Sequence, residues 1–112
     1  MSIPNIRTAI PRRRYQYGEF VITVLGEIES DDPARYRYIM AVASEGDPKP
    51  GLFLSCERVG QDNFRLRVAM ADGEQVLGES DALGDEETFS REALKIVATI
   101  LNLGDEVPHR LM

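Results

Sequence analysis

The sequence predicts an α+β fold: a five-stranded, mainly antiparallel meander sheet with one long C-terminal α-helix packed on one face. Five short segments rich in β-branched and aromatic residues follow one another, and turn residues separate them at short spacing. The segment after them has apolar residues at the three-and-four spacing of an amphipathic helix. A chain of 112 residues suits one domain with a single modest core.

The predicted strands lie between clear turn signals. They cover residues 15–28, 35–44, 52–59, 64–70 and 74–78. Asp72-Gly73 is the strongest hairpin signal because this dipeptide suits a type I′ turn. We therefore expect neighbouring strands in the chain to be neighbours in the sheet.

The predicted helix covers residues 86–103. Asp85 is a suitable N-cap, and Glu86 and Glu87 favour the positive end of the helix dipole. Gly104 provides a left-handed stop, with Pro108 beyond it. These signals define both helix ends.

Side-chain matching predicts which face of the sheet the helix covers. In the first hairpin, setting Phe20 opposite Val42 brings apolar residues together, and between the third and fourth strands Glu57 lies opposite Arg65. The resulting core face is Phe20, Ile22, Val24, Tyr38, Met40, Val42, Leu52, Leu54, Cys56, Leu66, Val68, Met70 and Leu77.

The opposite face is more apolar than an ordinary solvent-facing sheet, and one helix covers only one face. Its predicted centre is Val21, Ile39, Ala41 and Phe53, and its charged rim is Arg37, Glu57, Arg65 and Arg67. We predict that this second sheet face forms a homodimer or binds a partner protein. The alternative is coverage by the chain itself, through Ile3, Ile6 and Ile10 or through Leu111 and Met112.

Residues 1–14 are predicted to form a basic N-terminal arm, whose order is left open, and residues 15–112 a single domain. The arm contains four arginines and no acid, and the remaining nine basic and 19 acidic residues give residues 15–112 a net charge of −10. Such a body repels nucleic acid and anionic membranes. A single-strand nucleic-acid site built from Arg12, Arg13, Arg14, Tyr15 and Tyr17 is therefore a less favoured alternative.

No residue pattern predicts a specific reaction. Cys56 is the single cysteine and His109 the single histidine, and Cys56 falls in the middle of a predicted core strand. The acidic clusters lack the ligand pattern of a calcium loop. We expect no metal site and no cofactor.

The expected function is a non-catalytic protein-interaction module in the cytoplasm, without membrane association. A small-molecule binder or enzyme, with a pocket between helix and sheet, remains the alternative from a different class. The lone cysteine and the absence of a long apolar segment favour the cytoplasmic setting.

Overall fold

The computed structural model describes residues 3–112 and contains one antiparallel sheet with one long helix. The strands are β1 (Ile6–Tyr17), β2 (Phe20–Ser30), β3 (Arg35–Ser44), β4 (Leu52–Arg58), β5 (Phe64–Met70), β6 (Gly73–Ser80) and β7 (His109–Arg110). A 3₁₀ turn at Asp81–Gly84 leads into the α-helix α1 (Glu86–Ile100). The strand order in the sheet is β6-β5-β4-β3-β2-β1-β7.

The α+β class and the meander order are confirmed, but the predicted number of five strands is wrong because the sheet has seven. The helix is also not at the C-terminus of the fold, since residues 101–112 follow it and include β7. The short β7 pairs with β1 at Tyr15 and Gln16, on the far side of the sheet from β6.

Strand β1 contains most of the predicted arm. It crosses the predicted boundary between residues 14 and 15, although Pro11 lies in its middle. Proline lacks the N–H that a central strand donates, and it is tolerated on edge strands and at bulges. Pro11 meets both conditions: the register with β2 shifts between Pro11 and Arg13, and β7 does not extend to this part of β1.

The predicted faces are correct except at Arg37, and one predicted register is wrong. Between β4 and β5, Glu57 lies opposite Arg65 as predicted. Between β2 and β3, Phe20 lies opposite Ser44, a shift of two residues from the prediction. Because side chains alternate with a period of two, this shift leaves the residues of β2 and residues 38–44 on their predicted faces. Arg37 is the exception, because it lies at the irregularity between Tyr36 and Tyr38 and contacts the helix side instead.

The turn between β5 and β6 differs from the prediction. Met70 pairs with Gly73, so the two turn residues are Ala71 and Asp72. Gly73 does not have the positive φ that the predicted type I′ turn at Asp72-Gly73 requires. The hairpin forms where the sequence predicts it, with a different turn.

Helix α1 covers the predicted core face. The Asp85 carboxylate caps the helix by accepting a hydrogen bond from the Thr88 backbone N–H at 3.0 Å. Phe89, Ala93 and Val97 are fully buried against the sheet, and the Phe89 ring stacks on Tyr38 with ring centroids 5.6 Å apart. Within residues 3–112, no helix is long and apolar enough to cross a membrane.

Candidate functional site

One end of the second sheet face is already covered by the chain itself. Ile39, Phe53 and Ala69 are buried there, and Ile3 and Ile6 pack against them. The Asn5 backbone N–H donates to Asp32 Oδ2 at 2.9 Å and holds this segment in place. Coverage by the N-terminal residues, left open by the sequence, therefore occurs at this end.

The other apolar residues that were expected to cover the second sheet face do not cover it. Ile10, Leu111 and Met112 are all exposed. Two predicted interface residues, Ile39 and Phe53, thus lie under Ile3 and Ile6, and Phe53 is only 7% exposed. Any partner of the second face would contact its remaining part.

The predicted charged rim is mostly occupied by contacts within the chain. Glu57 is buried and accepts two hydrogen bonds from Arg67, from Nε at 2.9 Å and from Nη2 at 3.3 Å. These hydrogen bonds raise the pKa of Arg67, whose Nη1 also donates to Glu74 at 3.0 Å. Arg65 pairs with Glu79. A buried pair of this kind rigidifies the sheet rather than presenting free charges.

A small cavity of about 210 Å³ lies beside this ion pair, beneath Ile3 and Pro4. The Tyr36 hydroxyl donates to Asp32 Oδ2 at 2.7 Å in its wall. Burial raises the pKa of Tyr36, so its hydroxyl keeps the donated proton. The polar groups of this cavity bind one another and tie the N-terminal residues to the sheet.

The other end of the second face is an open groove of about 440 Å³. Val21, Thr23, Ala41 and Ala43 form its half-buried floor, and Arg14 and the β3–β4 loop form its walls. Two predicted interface residues, Val21 and Ala41, lie here. The small side chains of the floor make the groove shallow.

Arg37 lies away from both ends of the second face. Its side chain is exposed, donates to the Gly84 carbonyl at 3.3 Å and stacks over the Tyr38 ring at 5.0 Å. It therefore contacts elements of the helix side rather than forming a rim with Arg65 and Arg67.

The Arg/Tyr cluster does not form an exposed nucleic-acid platform. Tyr15 and Tyr17 are buried in the main core, so their rings are unavailable for stacking on bases. Arg13 is also buried and pairs with Glu86 and Glu87 at 2.8 Å each. Only the side chains of Arg12 and Arg14 remain exposed.

Two arginines reach the helix start because of the irregularity at Pro11. Arg12 Nε donates to Glu86 Oε1 at 3.0 Å, beside the contact of Arg13 with the same carboxylate. Gly26 permits this approach, since a Cβ there would lie 3.0 Å from the Arg12 side chain. The arginines thus neutralise the acidic first turn of α1.

These contacts predict acid sensitivity. The hydrogen bond from Arg13 holds the pKa of Glu86 below its ordinary value of 4.5, and the Asn5 N–H lowers the pKa of Asp32 from 3.8. A lowered pKa in the folded state stabilises the protein above the ordinary pKa, and this stabilisation is lost as pH falls through the folded-state value. We expect the free energy of unfolding to fall as pH drops below about 4.5.

Urea unfolding at a series of pH values measures this loss. Glu86→Gln provides the control, because it removes one of the two carboxylates and should reduce both the stability at neutral pH and the slope in acid. A free energy of unfolding that is constant between about pH 5 and about pH 3 would contradict these pairings.

The only thiol and the only imidazole do not form a catalytic pair. Cys56 is on β4 and His109 on β7, four strand positions apart in the sheet, or about 19 Å at the usual strand spacing. Burial raises the pKa of Cys56 to about 12, and its thiol donates to the Leu83 carbonyl at 3.2 Å. Cys56 is a neutral core residue at physiological pH.

A further surface, which sequence reasoning missed, lies at the β6 edge. All residues of β6 except Ser80 are exposed, including Val76 (44%) and Leu77 (40%). Beside Leu77 is an apolar groove of about 310 Å³ between helix and strand, lined also by Leu66, Leu83 and Ile96. The meander order could have identified this edge, since the last predicted strand has only one neighbour.

The two sides of the sheet differ in how their edges are protected. Strand β1 carries arginines and Pro11, its pairing with β2 has three register irregularities, and β7 covers one end of its outer side. Strand β6 contains no proline and no basic residue. Its charged residues are Glu74 and Glu79, and its pairing with β5 has one irregularity, between the positions opposite Leu66 and Arg67. Proline, charge and bulges are the features that prevent edge pairing, so β6 is the less protected edge.

Within residues 3–112, no group of three or more His, Cys, Asp or Glu side chains is placed to hold a metal ion. Comparison of the chain with protein-family models, curated proteins and solved structures finds no match.

Proposed function

We propose that the protein is an interaction module that pairs its free β6 edge with a strand of another polypeptide. The observation that carries this proposal is the exposure of β6 next to an apolar groove. An edge strand leaves alternate backbone N–H and C=O groups without sheet partners, and an added strand binds them in register. The proposed function is still that of a protein-interaction module, but the proposed binding surface is the β6 edge rather than the second sheet face.

Backbone hydrogen bonds and apolar contacts both support pairing at β6. Arg67 lies opposite Val76, which places Val76 on the second face, whereas Leu77 lines the groove on the helix side. An added strand would therefore cover one exposed apolar side chain on each face of the sheet. Alternate side chains of the partner would give the specificity that backbone pairing lacks.

The carboxylates of β6 do not oppose this role. Glu74 pairs with Arg67 at 3.0 Å and Glu79 with Arg65 at 3.1 Å, so each is neutralised by its own chain. The bulge beside Leu77 twists the edge locally, and a partner strand has to follow that twist. This requirement favours a specific partner over indiscriminate pairing.

The open end of the second face is less favourable for the same role. Its floor consists of small side chains that are already half-buried, so a partner would gain little apolar contact there. The alternative function, a pocket between helix and sheet, would have to use the groove beside β6.

Site-specific photo-crosslinking tests the proposed edge. A photoreactive residue replaces Val76 in cells that make the protein. The control carries the same photoreactive residue at Val107, which is 67% exposed and lies in the segment leading to β7. We expect a crosslinked product of defined mass from position 76 that Leu77→Lys abolishes, and none from position 107. Absence of a product at 76, or equal products at both positions, would contradict the proposal.

A further inference from the structure

We infer that the partner strand is β6 of a second copy of this chain, paired antiparallel about a two-fold axis. This inference rests on the proposed function of the edge. Two-fold pairing uses the less protected edge of both copies and leaves the protected β1 sides at the two ends of a continuous sheet. Such an isologous contact closes at the dimer and does not propagate into fibres.

The helix side of the edge gives this dimer its apolar centre. Thr88, Glu92 and Ile96 form a stripe along α1 that borders the groove, and Ile100 continues it with 39% exposure. Two-fold pairing brings Leu77 of both copies together between the two helices. Stable interfaces bury about 800 Å² per partner, which one short strand does not supply, so the Leu77, Ile96 and Ile100 surface is needed.

Electrostatics set the salt dependence of this association. Each chain carries a net charge of −6, so two copies repel one another at low ionic strength. Pairing centred on Leu77 sets Glu74 opposite Ser80 of the second copy and Glu79 opposite Gln75, so no two carboxylates lie directly opposite each other. We therefore expect added salt to strengthen the dimer, the reverse of what a basic arm bound to an acidic body would show.

The test is the solution mass of the purified protein over a range of concentrations by sedimentation equilibrium. Wild type should pass from monomer to dimer, at lower concentration in high salt. Leu77→Lys should weaken the dimer about 100-fold, because the substitution acts twice in each dimer. Val107→Lys adds the same charge at an exposed position and should leave the dimer unchanged or slightly strengthened.

Two further variants separate the failure of this inference from the failure of the proposed function. Val76→Lys repeats the edge substitution on the other face, and circular dichroism checks that both edge variants fold. Ala41→Glu places a charge in the second-face groove and should leave the dimer intact. A dimer lost in Ala41→Glu but kept in both edge variants would overturn the inference and the proposed edge together.

A wild type that is monomeric at every concentration would overturn the inference alone, provided that the probe at Val76 still crosslinks to a different polypeptide. The edge would then serve another partner. A monomer whose Val76 probe gives no product would overturn both.

Discussion

Replacing Phe89 with alanine should lower the free energy of unfolding by about 3–5 kcal/mol. Phe89 is fully buried in α1 and stacks on Tyr38 of β3 with an interplanar angle of 22°. The substitution removes the largest fully buried side chain and opens a cavity between helix and sheet. Domains of this kind are stable by about 5–15 kcal/mol, so this loss is large enough to leave part of the protein unfolded.

Urea unfolding followed by far-ultraviolet circular dichroism measures this loss, at one low protein concentration so that self-association does not contribute. Phe89→Leu is the matched control, and it should cost less than about 1.5 kcal/mol because it keeps most of the volume. A loss below about 1 kcal/mol for Phe89→Ala would mean that the helix does not depend on this contact.

Phe53→Asp should unfold the protein rather than separate subunits. Phe53 is 7% exposed, and Ile3 and Ile6 pack over the cluster that contains it. The nearest cation on that face by register is Arg67, whose donors already bind Glu57 and Glu74. A carboxylate at residue 53 would be buried without a partner, in addition to the lost aromatic ring, and we expect a cost of more than about 4 kcal/mol.

The control for this variant is Phe53→Leu, which retains an apolar side chain and should remain folded. Thermal unfolding followed by circular dichroism distinguishes the two. A folded, monomeric Phe53→Asp protein with wild-type stability would show that Phe53 faces solvent or a partner, and would support the original second-face interface.

The sequence predicts the local structure well because its signals are local. The two-residue alternation of β2 to β5 and the helical spacing after Asp85 each depend on neighbouring residues. The face assignment also holds except at Arg37, since the register error between β2 and β3 was two residues. Leu77 is on the predicted side but exposed, because it lies on the edge strand.

The parts that the sequence did not predict depend on contacts distant in the chain. The composition of the arm predicts that Arg13 is exposed to solvent. Arg13 is buried instead, because Glu86 and Glu87, which lie far along the chain, neutralise its charge. Tyr15 and Tyr17 are buried in the core because they lie, like Arg13, at the alternate positions of β1 that face the helix. Pro11 lies beside a bulge within β1 and does not interrupt the strand.

The candidate site illustrates the same limit. Period-two alternation identifies an apolar second face but does not show that Ile3 and Ile6 cover one end of it. Composition suggests a charged rim, whereas Glu57 and Arg67 bind each other at 2.9 Å. The free edge follows from the strand order, which the predicted meander contains, but the groove beside Leu77 depends on how α1 packs against the sheet.

Hydrogen exchange of the purified protein, measured at several concentrations, tests the role of the β6 edge most directly. We expect the backbone amides of Gly73–Ser80 to exchange more slowly as the mass rises from monomer to dimer, while those of His109–Arg110 and residues 41–44 keep their rates. Amides of β6 that exchange equally fast at every concentration, or slowing confined to residues 41–44, would contradict the account.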